Sequence, residues 1–175
     1  AAPLAEAVAV EWRTQGTHVD PATMPLTTLT CTVLDAVTGR EADVAADIAK
    51  YFGTDLLCYR ADAPAALVAR QATAWDPLVA WATETLGVPF NVTAGLMPVA
   101  QSPDVIPRAL SLLAPEPAFR LAALHVLTTM LGSGILALAV ARGRLALPEA
   151  WAAAHLDEDW QIEQWGHDDE AAARR

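Results

Sequence analysis

Leu121-Ala-Ala-Leu-His-Val-Leu-Thr-Thr-Met-Leu-Gly-Ser-Gly-Ile-Leu-Ala-Leu-Ala-Val-Ala141 is the stretch whose reading decides the fold. It is nearly all apolar, and at roughly 20 residues it has the length of a bilayer-spanning helix. Its interior argues otherwise. His125, Thr128-Thr129 and Gly132-Ser133-Gly134 would face lipid badly, because polar groups inside a membrane are expensive. A buried hairpin, or a central helix of a water-soluble helical bundle, fits better. Gly132-Ser133-Gly134 reads as a place of close helix approach, not as a serine nucleophile, and His125 reads as a satisfied core histidine.

The rest of the chain agrees with a bundle. Its 175 residues suit one domain, and 54% hydrophobic residues supply a sizeable core. Much of that fraction is alanine, the strongest helix former. A net charge of −10 argues against nucleic acid, since phosphate binding needs clustered Lys and Arg. Cys31 and Cys58 lie far apart without metal-type spacing and read as buried reduced thiols.

Helical periodicity recurs along the chain. Leu4, Val8 and Trp12 predict a helix over 3–15, and Leu26, Leu29, Val33 and Val37 form the next stripe, closed by Gly39. Val44, Ile48 and Phe52 mark a third helix that stops at Gly53. Asp55-Leu-Leu-Cys-Tyr-Arg60 could be extended or a helical turn. Pro64 opens a long helix in which Pro77 should cause a kink or a restart, with Asp76 as cap or as the partner of an arginine such as Arg60 or Arg70. Strand signals are confined to 88–93 and, more weakly, 96–99. The expected class is mainly α, a multi-helix domain with a small β element near residues 88–99.

The last helix opens at Pro148 and carries the most unusual composition. Leu156-Asp-Glu-Asp-Trp-Gln-Ile-Glu-Gln-Trp-Gly166 holds acids, amides and two tryptophans but no Lys or Arg. Counting 100° per residue from Leu147 puts Trp151, Ala154, Ile162 and Trp165 on a core stripe, with Glu158 inside it. Leu156, Trp160, Glu163 and His167 fall on the opposite side. A helix apolar on two sides must be covered twice or must use one side for binding. On this count the outward indole is Trp160. The surplus of acid would attract a basic patch on a partner. His155 and Asp159, with His167, offer a generic helix-surface metal spacing and hence an alternative reading as a small metal-dependent hydrolase. A membrane adaptor through 121–141 is a third. No Gly-rich phosphate loop, nucleophile elbow or Cys-His pair is present, so neither cofactor nor small-molecule substrate is expected.

Several segments together resemble the assembly chaperones of the F-type ATP synthase alpha subunit. They are Glu11-Trp12, Met24-Pro-Leu-Thr27 with Leu29 and Leu34-Asp35, Asp55 to Arg60, Trp75-Asp-Pro77 with Trp81, and Leu156 to Gly166. The resemblance implies a non-enzymatic chaperone that holds the free alpha subunit and prevents its aggregation until the beta subunit replaces it. It implies neither membrane insertion nor a nucleic-acid partner. The site of action would be the cytoplasm of a bacterium, or the mitochondrial matrix in a eukaryote. It also implies that residues 1–175 are the helical C-terminal domain of a two-part protein whose small β-rich domain lies upstream and is absent here. On the closing helix it marks Asp157, Glu158, Gln161, Ile162, Trp165 and Gly166. With the outward face, this gives Leu156, Asp157, Trp160, Gln161, Glu163 and Trp165 as partner-binding candidates. Trp12, Asp55, Arg60, Trp75, Asp76 and Glu158 are the structural ones.

Overall fold

The computed structural model describes residues 2–95 and 97–166. Among them the chain is mainly helical, as its periodicity predicts. The helices are α1 (Ala2–Arg13), α2 (Pro25–Thr32), α3 (Glu41–Gly53), α4 (Ala65–Leu86), α5 (Val105–Leu113), α6 (Ala118–Leu131), α7 (Gly134–Ala141), α8 (Leu147–Ala154) and α9 (Leu156–Trp165). Two short strands, β1 (Tyr59–Arg60) and β2 (Thr93–Ala94), pair in parallel with Tyr59 opposite Thr93.

The apolar stretch at 121–141 is two helices. Gly132 adopts φ +62°, a left-handed conformation that ends α6. Ser133 then caps α7 by accepting a hydrogen bond from the Leu136 N–H at 3.0 Å. An eight-residue helix is about 12 Å long, far short of a hydrocarbon layer about 30 Å thick. No described helix is long and apolar enough to cross a membrane. Ile135 to Ala139 are all buried, so α7 is the central helix, apolar on every side because every side is covered. Gly134 allows close approach: a Cβ there would stand 2.6 Å from the ring of Phe52 on α3.

α3 packs against α5, α6 and α7 through Ala45, Ile48, Ala49 and Phe52. The α2 stripe ends in a π-helical turn, Val33–Val37, whose buried Val33 and Val37 meet Ala122 of α6. α1 buries no residue and packs on α2. Glu11 fixes it there. One carboxylate oxygen accepts the Leu26 N–H and the other the Thr27 N–H, each at 2.7 Å, satisfying two donors that a helix start leaves unpaired. Trp12, expected to be structural, is 52% exposed; Glu11 beside it makes the tie.

Other expectations are corrected by tertiary contacts. α4 continues through Pro77 without a break. Pro77 and Thr73, whose carbonyl loses its partner there, both face outward where water can replace the bond, while Trp75, Leu78 and Val79 anchor the inner face. Of the two roles read for Asp76, cap or partner of an arginine, the second holds: it binds Arg60 Nη1 at 3.0 Å. Of the strand signals, 88–93 yields only Thr93, which with Ala94 forms β2 and pairs with Tyr59–Arg60, and the described residues 97–99 form no strand. Cys31 is exposed, and only Cys58 is buried, its thiol pushed up to about 12 by burial. His125 is partly exposed and meets Asp47 at 3.0 Å, outside the core.

Candidate functional site

The acidic C-terminal segment does not form one helix with the residues before it. His155 sits at φ −104°, ψ 16° and separates α8 from α9. Its Nδ1 lies 2.9 Å from the Trp151 carbonyl, and its ring stacks on Trp151 at 4.0 Å between centroids. A non-helical residue resets the angular phase, so faces counted from Leu147 do not carry into α9. Leu156 is buried and Trp160 packs partly buried against the core. Glu158 and Gln161 are exposed, and Trp165 is 78% exposed. Both expectations about sidedness are reversed. Glu158 does not lie on the core face, and the outward indole is Trp165, not Trp160. Within α9, Trp165 stands half a turn around from Leu156, as 100° per residue requires.

Three contacts hold α9 on α4. Gln71, itself buried, donates from Nε2 to Asp157 at 2.7 Å while its Oε1 accepts the Ala61 N–H at 2.9 Å. Arg70 grips Glu163 with both terminal nitrogens, at 2.7 and 2.9 Å. That paired hydrogen bond holds the Glu163 carboxyl below the usual range and raises Arg70. The same guanidinium lies 6.0 Å from the Trp160 ring, within cation–π reach. One helix turn below, the Trp75 indole N–H donates to the Ala153 carbonyl at 2.9 Å, a last-turn carbonyl without an intrahelical partner. The Arg60 guanidinium lies over the Trp75 ring, 5.0 Å from its centroid, and its Nε–H donates to the Leu57 carbonyl at 2.7 Å.

The candidate partner-binding residues thus divide. Leu156, Asp157, Trp160 and Glu163 face this protein's own body. Gln161 and Trp165 face outward, with Glu158 beside them. Arg70 and Gln71, which carry the docking, were hidden in the sequence. The available signal was an Arg-Gln pair beside the apolar face of α4, facing a distant segment rich in acids. Opening the latch should be visible locally. Arg70→Ala is expected to raise hydrogen exchange and proteolysis in α9 with little change in the global melt, because a half-exposed ion pair is screened by water. Glu163→Ala should do the same, and the double variant should add little to either.

The metal reading finds no cluster. Among the described residues no three His, Cys, Asp or Glu side chains stand close enough to hold an ion. His155 is engaged with Trp151, and His167 lies outside the described residues.

Comparison with known proteins defines the class. A sequence profile described as ATP12 chaperone protein matches residues 1–83. The crystal structure of Atp12 from Paracoccus denitrificans superposes with a TM-score of 0.92 at 46% identity, covering 97% of this chain and 73% of that one. A point mutant of the same protein gives the same values. The Atu1473 protein of Agrobacterium tumefaciens, described as a candidate chaperone, gives 0.90 at 46% identity over 98% of this chain and 65% of its own. The aligned parts of these structures share the mainly helical fold of this chain. The chain belongs to the ATP12 chaperone family.

Proposed function

We propose that this protein holds the free alpha subunit of the F-type ATP synthase, prevents its aggregation, and yields it when the beta subunit arrives. In a bacterium this would take place in the cytoplasm. An unassembled subunit exposes an apolar interface that aggregates unless covered. Release needs only a tighter-binding partner, so the cycle requires no nucleotide.

The observation that carries the reading is Trp165, a large indole 78% exposed on a helix otherwise acidic and latched to the body. Exposed aromatics rimmed by polar groups are the usual anchors of protein contacts. We assign the client contact to the outer side of α9, formed by Glu158, Gln161 and Trp165. Purified alpha subunit should scatter less light on warming when this protein is present. Trp165→Ala should weaken binding by about thirty-fold, the effect of losing an anchor worth roughly 2 kcal/mol, with an unchanged melting temperature. Trp160→Ala should instead lower the melting temperature. Unaltered aggregation of the alpha subunit in the presence of the wild-type protein would refute the assignment.

A further inference from the structure

α9 has little to hold it as a helix by itself. It is ten residues long, and isolated helices shorter than about 12–15 residues are marginal in water. The acids of its first turn suit the helix dipole, but the side chain of His155, at its start, does not cap it. Asp159 and Glu163 are like charges four residues apart, a spacing that disfavours the helix. Of its ten residues Leu156 alone is buried, with Trp160 partly so. The backbone breaks at His155, so α8 does not carry its helical geometry forward.

What α9 lacks, α4 supplies. Arg70 sets one cation against both acids: its hydrogen bonds to Glu163 raise it most, and the charge of Asp159 adds to that. Glu163 in turn is held low by Arg70 against the push of Asp159. Gln71, buried on the same helix, binds Asp157 and the Ala61 N–H after β1 at once. Gln71 thus holds the first turn of α9 and Arg70 the last. Two anchors, one toward each end, fix the rotation of a helix as well as its position. Glu158, Gln161 and Trp165, at i, i+3 and i+7, share the opposite side and line up only while α9 is helical.

On the reading that the client contacts the outer side of α9, we infer that its affinity is set from α4: Arg70 and Gln71 are positioning residues that fold and aim α9, acting through it and not on the client. A surface ordered before binding avoids the loss of freedom that ordering it during binding would bring. Apparent affinity then scales with the fraction of molecules whose α9 is docked. The coupling is reciprocal, so a client that prefers docked α9 must also hold α9 docked.

The test uses purified alpha subunit and the full 175-residue chain, with client affinity and hydrogen exchange in α9 measured on each variant. Arg70→Glu sets a third carboxylate beside Asp159 and Glu163. It should speed exchange in α9 and weaken client binding, each by roughly ten-fold or more, with little change in the global melt. Glu163→Arg faces Arg70 with a second cation and should do the same. Arg70→Glu combined with Glu163→Arg restores the ion pair in reverse and should return both readouts to near the wild-type values. Bound alpha subunit should slow exchange in wild-type α9. If Arg70→Glu opens α9 but binds as wild type does, while Trp165→Ala binds weakly, the positioning role is overturned and the α9 contact stands. Unchanged exchange in Arg70→Glu would overturn that role as well. So would a reversed pair that regains protection in α9 without regaining affinity, because Arg70 or Glu163 would then touch the client itself. If wild type does not bind the alpha subunit, both readings fall.

Discussion

Asp55→Ala is expected to lower the unfolding free energy by about 3 kcal/mol or more at neutral pH, read from urea denaturation. Asp55 is fully buried, and one carboxylate serves two distant segments. One oxygen accepts the Leu57 N–H at 3.1 Å and the Ser133 hydroxyl at 2.7 Å. The other accepts the Ile135 N–H at 2.9 Å. It therefore caps the turn before β1 and the start of α7 together. Alanine leaves these donors buried without acceptors, and an unmade buried hydrogen bond costs more than a made one contributes. Asn is no remedy, because its amide would turn an N–H toward another N–H.

The same residue predicts a pH dependence. Burial pushes the Asp55 carboxyl up to about 6, outweighing the hydrogen bonds that favour its charged form. A raised acid pKa means that the folded state binds this proton more tightly than the unfolded state, whose value is near 4. The contribution of Asp55 is thus largest below about pH 4. It declines as pH rises toward 6 and is constant above. The carboxylates of Glu163 and Asp47 are held low and act in the opposite sense, losing stability as pH falls. The informative quantity is the difference between wild type and Asp55→Ala. It should be greatest near pH 4 and shrink through pH 6. A difference flat across that window would show that burial does not shift this group.

Trp75→Ala is expected to destabilise the fold by about 3–5 kcal/mol, the range for deleting a buried aromatic. Trp75 is 1% exposed and among the largest fully buried side chains. Its loss opens a cavity, frees the Ala153 carbonyl at the end of α8, and removes the ring on which Arg60 rests. Trp75→Phe keeps most of the burial but loses the indole N–H, and should cost about 1–2 kcal/mol. Because Trp75 joins α4 to the last turn before α9, either change should also loosen the α9 surface. Hydrogen exchange in α9 would report this before the global melt does. A Trp75→Ala protein as stable as wild type would mean that the core collapses around the gap, contrary to the close packing of α7 and Phe52.

The helical class, the stripes of α1 to α3, the close helix approach at Gly132-Ser133-Gly134 and the special composition of residues 156–166 were all legible in the sequence. These are local properties: a stripe depends on spacing of three and four residues, and a helix stop on one glycine or proline. The class of the protein was legible too, through ordered short segments that resemble one family. The orientation of α9 was not. It turned on one residue, His155, whose backbone leaves the helix while its ring stacks on Trp151. Sequence periodicity assumes a continuous helix, and one irregular residue rotates everything after it. Likewise the sequence marked Glu163 and Asp157 as charged, but their partners Arg70 and Gln71 lie up to 93 residues away; only the nearer pair, Asp76 with Arg60, could be read from the chain. Composition and period belong to the chain itself. Which indole is covered and which is left to a client depends on packing between distant helices, and only the tertiary structure decides that.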